Sequence, residues 1–272
     1  MRLLSPVLLL TLIVLSLAGA ACTADPTEEP LPTLAQMETL PTAIFLTENA
    51  PPPGFGLVSF DPIDANLGDR QGWFYTITGR FDGEFVESGD EAEGEFEIQV
   101  WANELGEARR VVLAVEGLAL SPDEGVRRLE GVRLSNDYFI VDSGGQCTLG
   151  GEGATVIADL AAGQIIGGVV RAVPNGFRME IEGVPAWQYT FAPEDARLPA
   201  LHQGSDSVVD LSAELWIAPQ YNAVLRYDIV AQVENVRVLW SEAPVSGQLV
   251  LHYAVEAATL DTLPNITVPH GC

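Results

Sequence analysis

From about residue 60 onward, polar and apolar side chains alternate with a period of two. Tyr75, Ile77, Gly79, Phe81, Gly83 and Phe85 fall on one face, with Thr76, Thr78, Arg80, Asp82 and Glu84 on the other. Phe96, Ile98 and Val100 repeat the pattern against Glu95, Glu97 and Gln99. The acidic stretch from Glu87 to Glu93, with Gly89 and the adjoining Gly94, supplies the connection, so these two segments read as a hairpin. Arg109 to Leu120 reads as a third strand, and Val126 to Val141 as two more. Further on, Phe177, Met179 and Ile181 alternate with charged residues, Gly183 and Pro185 mark a turn, and Trp187, Tyr189 and Phe191 follow. Leu211 to Ile217, Leu225 to Val233 and Leu249 to Ala257 behave likewise. Alternation this regular buries one face of each strand and wets the other, as antiparallel sheets permit.

Helical signal is sparse. Asp61 to Asp69 reads as a short helix entering the sheet. Ala154 to Ile166 carries Val156, Ile157, Leu160, Ala161 and Ile165 at helical spacing. The predicted fold is therefore mainly β (α+β). It is a strongly curved antiparallel half-barrel of about 9–11 strands, with one or two helices across its concave face.

The first segment follows a different rule. Arg2 precedes an apolar run from Val7 to Leu17, then Ala18, Gly19, Ala20, Ala21 and Cys22. The run is too short to span a bilayer comfortably and reads as a secretory signal. Ending on small residues before a cysteine, it resembles a bacterial lipoprotein signal. That resemblance implies lipidation of Cys22, which becomes the mature N-terminus on the outer side of the cell membrane. An ordinary cleaved signal and an uncleaved anchor are the alternatives. Residues 22–58 hold acidic residues and the clusters Glu28-Glu29-Pro30 and Pro51-Pro52-Pro53, a composition that favours an extended tether. Residues 59–272 then form the sheet domain.

Composition narrows the function. Acidic residues number 38 against 13 basic ones, a net charge of −25, which disfavours any nucleic-acid partner. Every basic residue is arginine. The absence of lysine excludes Schiff-base and pyridoxal chemistry and a P-loop lysine. Yet 47% of the residues are hydrophobic, so this is no disordered acidic tail. The acidic coat also disfavours docking on anionic headgroups, leaving the lipid on Cys22 as the membrane contact.

Candidate chemistry is thin. His202, His252 and His270 lie in separate regions without metal-ligand spacing, and His252 falls on the polar side of its strand. No Gly-x-Ser-x-Gly elbow occurs. The glycines at 144–153 lack the P-loop and Rossmann spacings, and Asp137, Asp142 and Glu152 follow no EF-hand pattern. No catalytic residue, metal ligand or cofactor is assigned, and the chain reads as a non-enzyme. With Cys22 lipidated, Cys147 and Cys272 remain. In an exported chain they read as a disulfide, with two independent thiols as the alternative.

The strand Tyr138 to Val141 precedes the helical segment 154–166. The hairpin around Ile181-Glu182-Gly183-Val184-Pro185-Ala186-Trp187-Gln188-Tyr189 comes next. Ala213-Glu214-Leu215-Trp216-Ile217-Ala218 and Leu225-Arg226-Tyr227 follow. Behind a lipoprotein signal and a tether, this order resembles the LppX/LprG-type lipoproteins, related in fold to the LolA/LolB carriers. The resemblance implies acyl chains held between a half-barrel sheet and its helices, without covalent catalysis. It makes Phe177, Trp187, Tyr189 and Leu160 the candidate lining residues. A packed core would use the same side chains. The competing function is a surface adhesion or assembly module with a solid core and a protein partner in the cell envelope.

Overall fold

In a computed structural model of the protein, residues 49–121 and 125–272 are described. Cys22, the signal segment and the tether as far as residue 48 lie outside them. The alternating segments form one sheet. Its first half contains β1 (Val58–Phe60), β2 (Gly72–Phe85), β3 (Glu91–Asn103), β4 (Ala108–Glu116), β5 (Arg127–Leu134), β6 (Asp137–Val141) and β7 (Cys147–Leu149). Its second half contains β8 (Gly168–Ile181), β9 (Val184–Thr190), β10 (Ala196–Arg197), β11 (Leu201–Ala218), β12 (Ala223–Val238) and β13 (Val245–Val255).

The strand order is β1-β8-β9-β11-β12-β13-β2-β3-β4-β5-β6-β7, with β10 also pairing β8. Every pairing is antiparallel, and the curved sheet stays open. The thirteen strands exceed the expected nine to eleven because β1, β7 and β10 are only two or three residues long. Such lengths leave no alternation to read.

Register aligns the apolar positions into rows. Tyr189, Leu215, Tyr227, Tyr253, Ile77, Ile98, Leu113 and Leu129 stand opposite one another across eight strands. All but the half-buried Leu129 are buried, so this inner face carries the core. The outer face carries the charges, as the alternation predicts. β4 stops at Glu116, short of the expected Leu120, because Gly117 turns the chain with φ +91°. Leu120 then reaches the core from the loop.

The predicted helix over 154–166 is two short helices, α1 (Glu152–Ala158) and α2 (Ala162–Ile165). α1 packs on the inner face over β4, β5 and β6. Gly131 of β5 permits that approach: a Cβ there would lie 2.5 Å from the Ala158 nitrogen and 2.8 Å from its Cα. Both are backbone atoms, so no rotamer change relieves the clash. Gly131→Ala is expected to destabilise the fold by about 1–3 kcal/mol, measured by urea denaturation. An unchanged midpoint would mean that α1 stands off the sheet.

At the sheet's other end, the chain before Val58 is docked on β9. Trp187 Nε1 donates to the Asn49 carbonyl at 2.9 Å, and the Tyr189 hydroxyl donates to the Phe55 carbonyl at 2.7 Å. The stretch from Asn49 to Phe55 thus lies against the sheet although its proline content reads as tether. Cys147 and Cys272 form a disulfide, with Cα atoms 5.4 Å apart and a sequence separation of 125.

Candidate ligand-binding site

Between α1 and the inner face of β4 and β5 lies a pocket of about 340 Å³. Leu113 and Val115 of β4 and Leu129 of β5 form its floor, because strand alternation turns all three inward. Ile157, with Leu160 just past the helix, closes it from above, and Trp240 from the β12–β13 connection closes one side. Ser121 and Arg127 add polar groups to the lining. Val156 is 57% exposed and Trp240 38%, so the pocket opens through an apolar rim.

The break between the helices shapes this site. Asp64 accepts the Ala162 N–H at 3.0 Å and the Tyr75 hydroxyl at 3.3 Å through one oxygen. Its other oxygen accepts the Gly163 N–H at 3.2 Å. Arg109 donates to the Leu160 carbonyl at 2.8 Å while its guanidinium lies 5.1 Å from the centre of the Trp73 ring. The backbone groups that a continuous helix would pair internally therefore find side-chain partners, and the break is stable. Arg133 adds an ion pair to Asp159 at 2.6 Å. Burial drives the Tyr75 hydroxyl pKa well up. Arg109 pulls it back, Asp64 pushes it up again, and it stays a neutral hydroxyl at physiological pH.

The four candidate lining residues do not come together. Leu160 lines the pocket. Trp187 and Tyr189 are buried under the Asn49–Phe55 stretch, several strands away from β4 and β5. Burial raises the Tyr189 hydroxyl pKa to about 12. Phe177 is 56% exposed, and Met179 beside it 43%, so the apolar positions of this part of β8 face solvent rather than a cavity. A bulge between Pro174 and Arg178 shifts the register there, which alternation alone does not reveal. The sequence reading also missed Trp240, a lone aromatic in a turn, and the inward residues of β4 and β5, which look like any other core positions.

The polar face holds hollows of a different character. One of about 360 Å³ is lined by Thr78, Arg80, Glu95, Glu97 and His252. His252 is not simply solvated: its Nδ1 pairs with Asp228, which also accepts Arg226 Nε at 2.5 Å. Burial raises the Asp228 carboxyl pKa. Hydrogen bonds from His252 and Arg226, with their charges, more than offset it, so the net shift is below the usual carboxylate value. Asp142, considered above with possible calcium ligands, accepts the N–H groups of Gly144 and Gln146 and closes a turn. Among the described residues no cluster of three or more His, Cys, Asp or Glu is placed to hold a metal ion. No described helix is long and apolar enough to cross a membrane.

The class these features define is an open, curved antiparallel sheet with an apolar pocket beneath a broken helical segment. No family model matches the chain, and no curated protein matches it. Among solved structures, it is similar to a LolA superfamily protein from Nitrosomonas europaea, with 11% identity and a TM-score of 0.22. That likeness covers 76% of this chain and 95% of the other. It is also similar to a DUF1329 family protein from Desulfovibrio piger, with 9% identity and a TM-score of 0.20, covering 72% and 92%. Neither is named as an LppX/LprG-type protein. At these scores the likenesses bear no weight, and the functional reading rests on the pocket.

Proposed function

We propose that the protein is a lipid-anchored extracytoplasmic carrier that holds an acyl chain in the pocket beneath α1, without covalent chemistry. The observation that carries this reading is the apolar pocket itself, floored by Leu113, Val115 and Leu129 and open past Val156 and Trp240. Its volume lies in the range of small-molecule sites, about 300–1,000 Å³. Burying about ten methylenes contributes on the order of 8 kcal/mol gross, reduced by the cost of ordering the chain. The anchor is the proposed lipid on Cys22.

Val156→Asp tests the reading without disturbing the core, since Val156 is 57% exposed. Titration with a fluorescent fatty acid is expected to show saturable binding to the unsubstituted protein. Affinity should fall roughly tenfold or more in the variant, because a carboxylate at the rim must be desolvated against the chain. Equal binding by both proteins, or none by either, contradicts the reading. The adhesion or assembly alternative is favoured by the solid packing at the sheet centre, where Tyr75, Tyr227 and Tyr253 are fully buried.

A further inference from the structure

We infer that the edge of β11 from Val208 to Glu214 is a docking strip for an extended strand of a partner protein, one in which apolar residues alternate with arginine or lysine. β12 pairs β11 on one side along this whole stretch. On the other side β9 reaches only Leu215 to Ile217. Among the described residues, no strand and no backbone hydrogen bond meets that other side between Val208 and Glu214.

The ladder fixes which backbone groups face the open side. The Glu256 N–H donates to the Phe74 carbonyl, so the even-numbered residues of β13 turn toward β2. Leu249, Leu251 and Tyr253 therefore turn toward β12, where Ala231, Ile229 and Tyr227 oppose them. The β12 residues between, Asp228, Val230 and Gln232, turn the other way and pair with Glu214, Ser212 and Asp210. Val209, Leu211 and Ala213 are left with their N–H and C=O groups directed away from β12. An incoming strand meets a regular row of donors and acceptors there.

The side chains describe the strand that fits. Proteins blunt sheet edges with proline, bulges or inward-pointing charges. The stretch from Val208 to Glu214 has none of these: its register with β12 is unbroken, and Val209, Leu211 and Ala213 point their apolar side chains at the core. These three are half-buried, whereas Val233, Ala231 and Ile229 beside them on β12 are buried. One more apolar row would complete the cover of the inner face. On the outer face Asp210 and Glu214 are exposed, and neither joins an ion pair among the described residues. Asp210 also borders an outer hollow of about 570 Å³ shared with Glu84 and Glu234. Cations opposite Asp210 and Glu214 would meet carboxylates, as favourable cross-strand pairs require. A second β11 brings no basic residue in this stretch, so the occupant is a basic strand from another protein. β11 lies several strands from the pocket floor on β4, and the inference stands apart from fatty-acid binding.

The probe is the fluorescently labelled heptapeptide Arg-Val-Thr-Val-Arg-Val-Thr-amide. In an antiparallel register its arginines fall opposite Glu214 and Asp210, and its valines opposite Ala213, Leu211 and Val209. Fluorescence anisotropy with the full chain at physiological ionic strength is expected to show saturable binding. Methylating the valine nitrogens removes the donors to β11 without changing charge, and should weaken binding roughly tenfold or more. Methylating the threonine nitrogens, which face away from β11, should leave it unchanged. That contrast separates strand pairing from plain attraction to a net charge of −25. The D210R/E214R variant changes only exposed positions. It should bind this peptide roughly tenfold more weakly and prefer the counterpart with glutamate in place of arginine. No binding, binding indifferent to which nitrogens are methylated, or an unchanged preference in D210R/E214R would each overturn the inference.

Discussion

Replacing both Cys147 and Cys272 by alanine is expected to lower the stability of the sheet domain by about 4–5 kcal/mol. The estimate follows from the chain that the bond closes. With the cysteines 125 positions apart in sequence, opening the bond frees more conformational entropy in the unfolded chain than opening a short loop would. The tail has little regular structure to hold it otherwise. Asp261 meets Arg70 at 3.4 Å and the Gln71 N–H at 3.2 Å, and the Pro264 carbonyl accepts from Asn103. Beyond those contacts the disulfide fastens the chain end to β7. For a domain of this size, the loss corresponds to a Tm decrease of roughly 10–20 °C, measured by calorimetry without reductant. A change of only a few degrees would mean that the bond merely tacks down a tail that frays independently of the sheet.

Asp64→Ala should be nearly as damaging, at about 2–4 kcal/mol. The substitution deprives the Ala162 N–H, the Gly163 N–H and the Tyr75 hydroxyl of one carboxylate. Ala162 keeps the Tyr75 oxygen at 2.9 Å as an acceptor, so the Gly163 amide is the most exposed to loss. Because these residues follow Leu160, loosening them also loosens the roof of the pocket. Hydrogen exchange should show the Gly163 amide losing protection first, and fatty-acid affinity should fall alongside stability. Asp64→Asn should fall between, since its amide oxygen still accepts but its NH₂ must face either the Gly163 N–H or the Ala162 N–H and the Tyr75 hydroxyl. Full stability and an unchanged Gly163 exchange rate in Asp64→Ala would show that the helix break is held by packing alone.

The sheet was legible in the sequence because a one-sided strand writes its burial into alternate residues. β2, β12 and β13 follow the predicted faces residue by residue from Tyr75, Leu225 and Leu249 onward. β8 did not follow, because its bulge shifts the register and leaves Phe177 and Met179 outside. The helix break was invisible because its cause is distant: Asp64 lies 98 residues before Ala162. The pocket was legible only at Leu160. Its floor residues share the alternation of the filled core, and local pattern carries no information about whether the space opposite a side chain is occupied.

The most direct measurement is mass spectrometry of solvent extracts from purified Cys22→Ser protein, in which no covalent lipid can contribute acyl chains. An acyl-bearing molecule is expected in near-stoichiometric amount, and Val156→Asp protein should carry much less. Extracts without any acyl-bearing molecule, from protein that also takes up no fluorescent fatty acid, would contradict the assignment of the pocket beneath α1 as a lipid site.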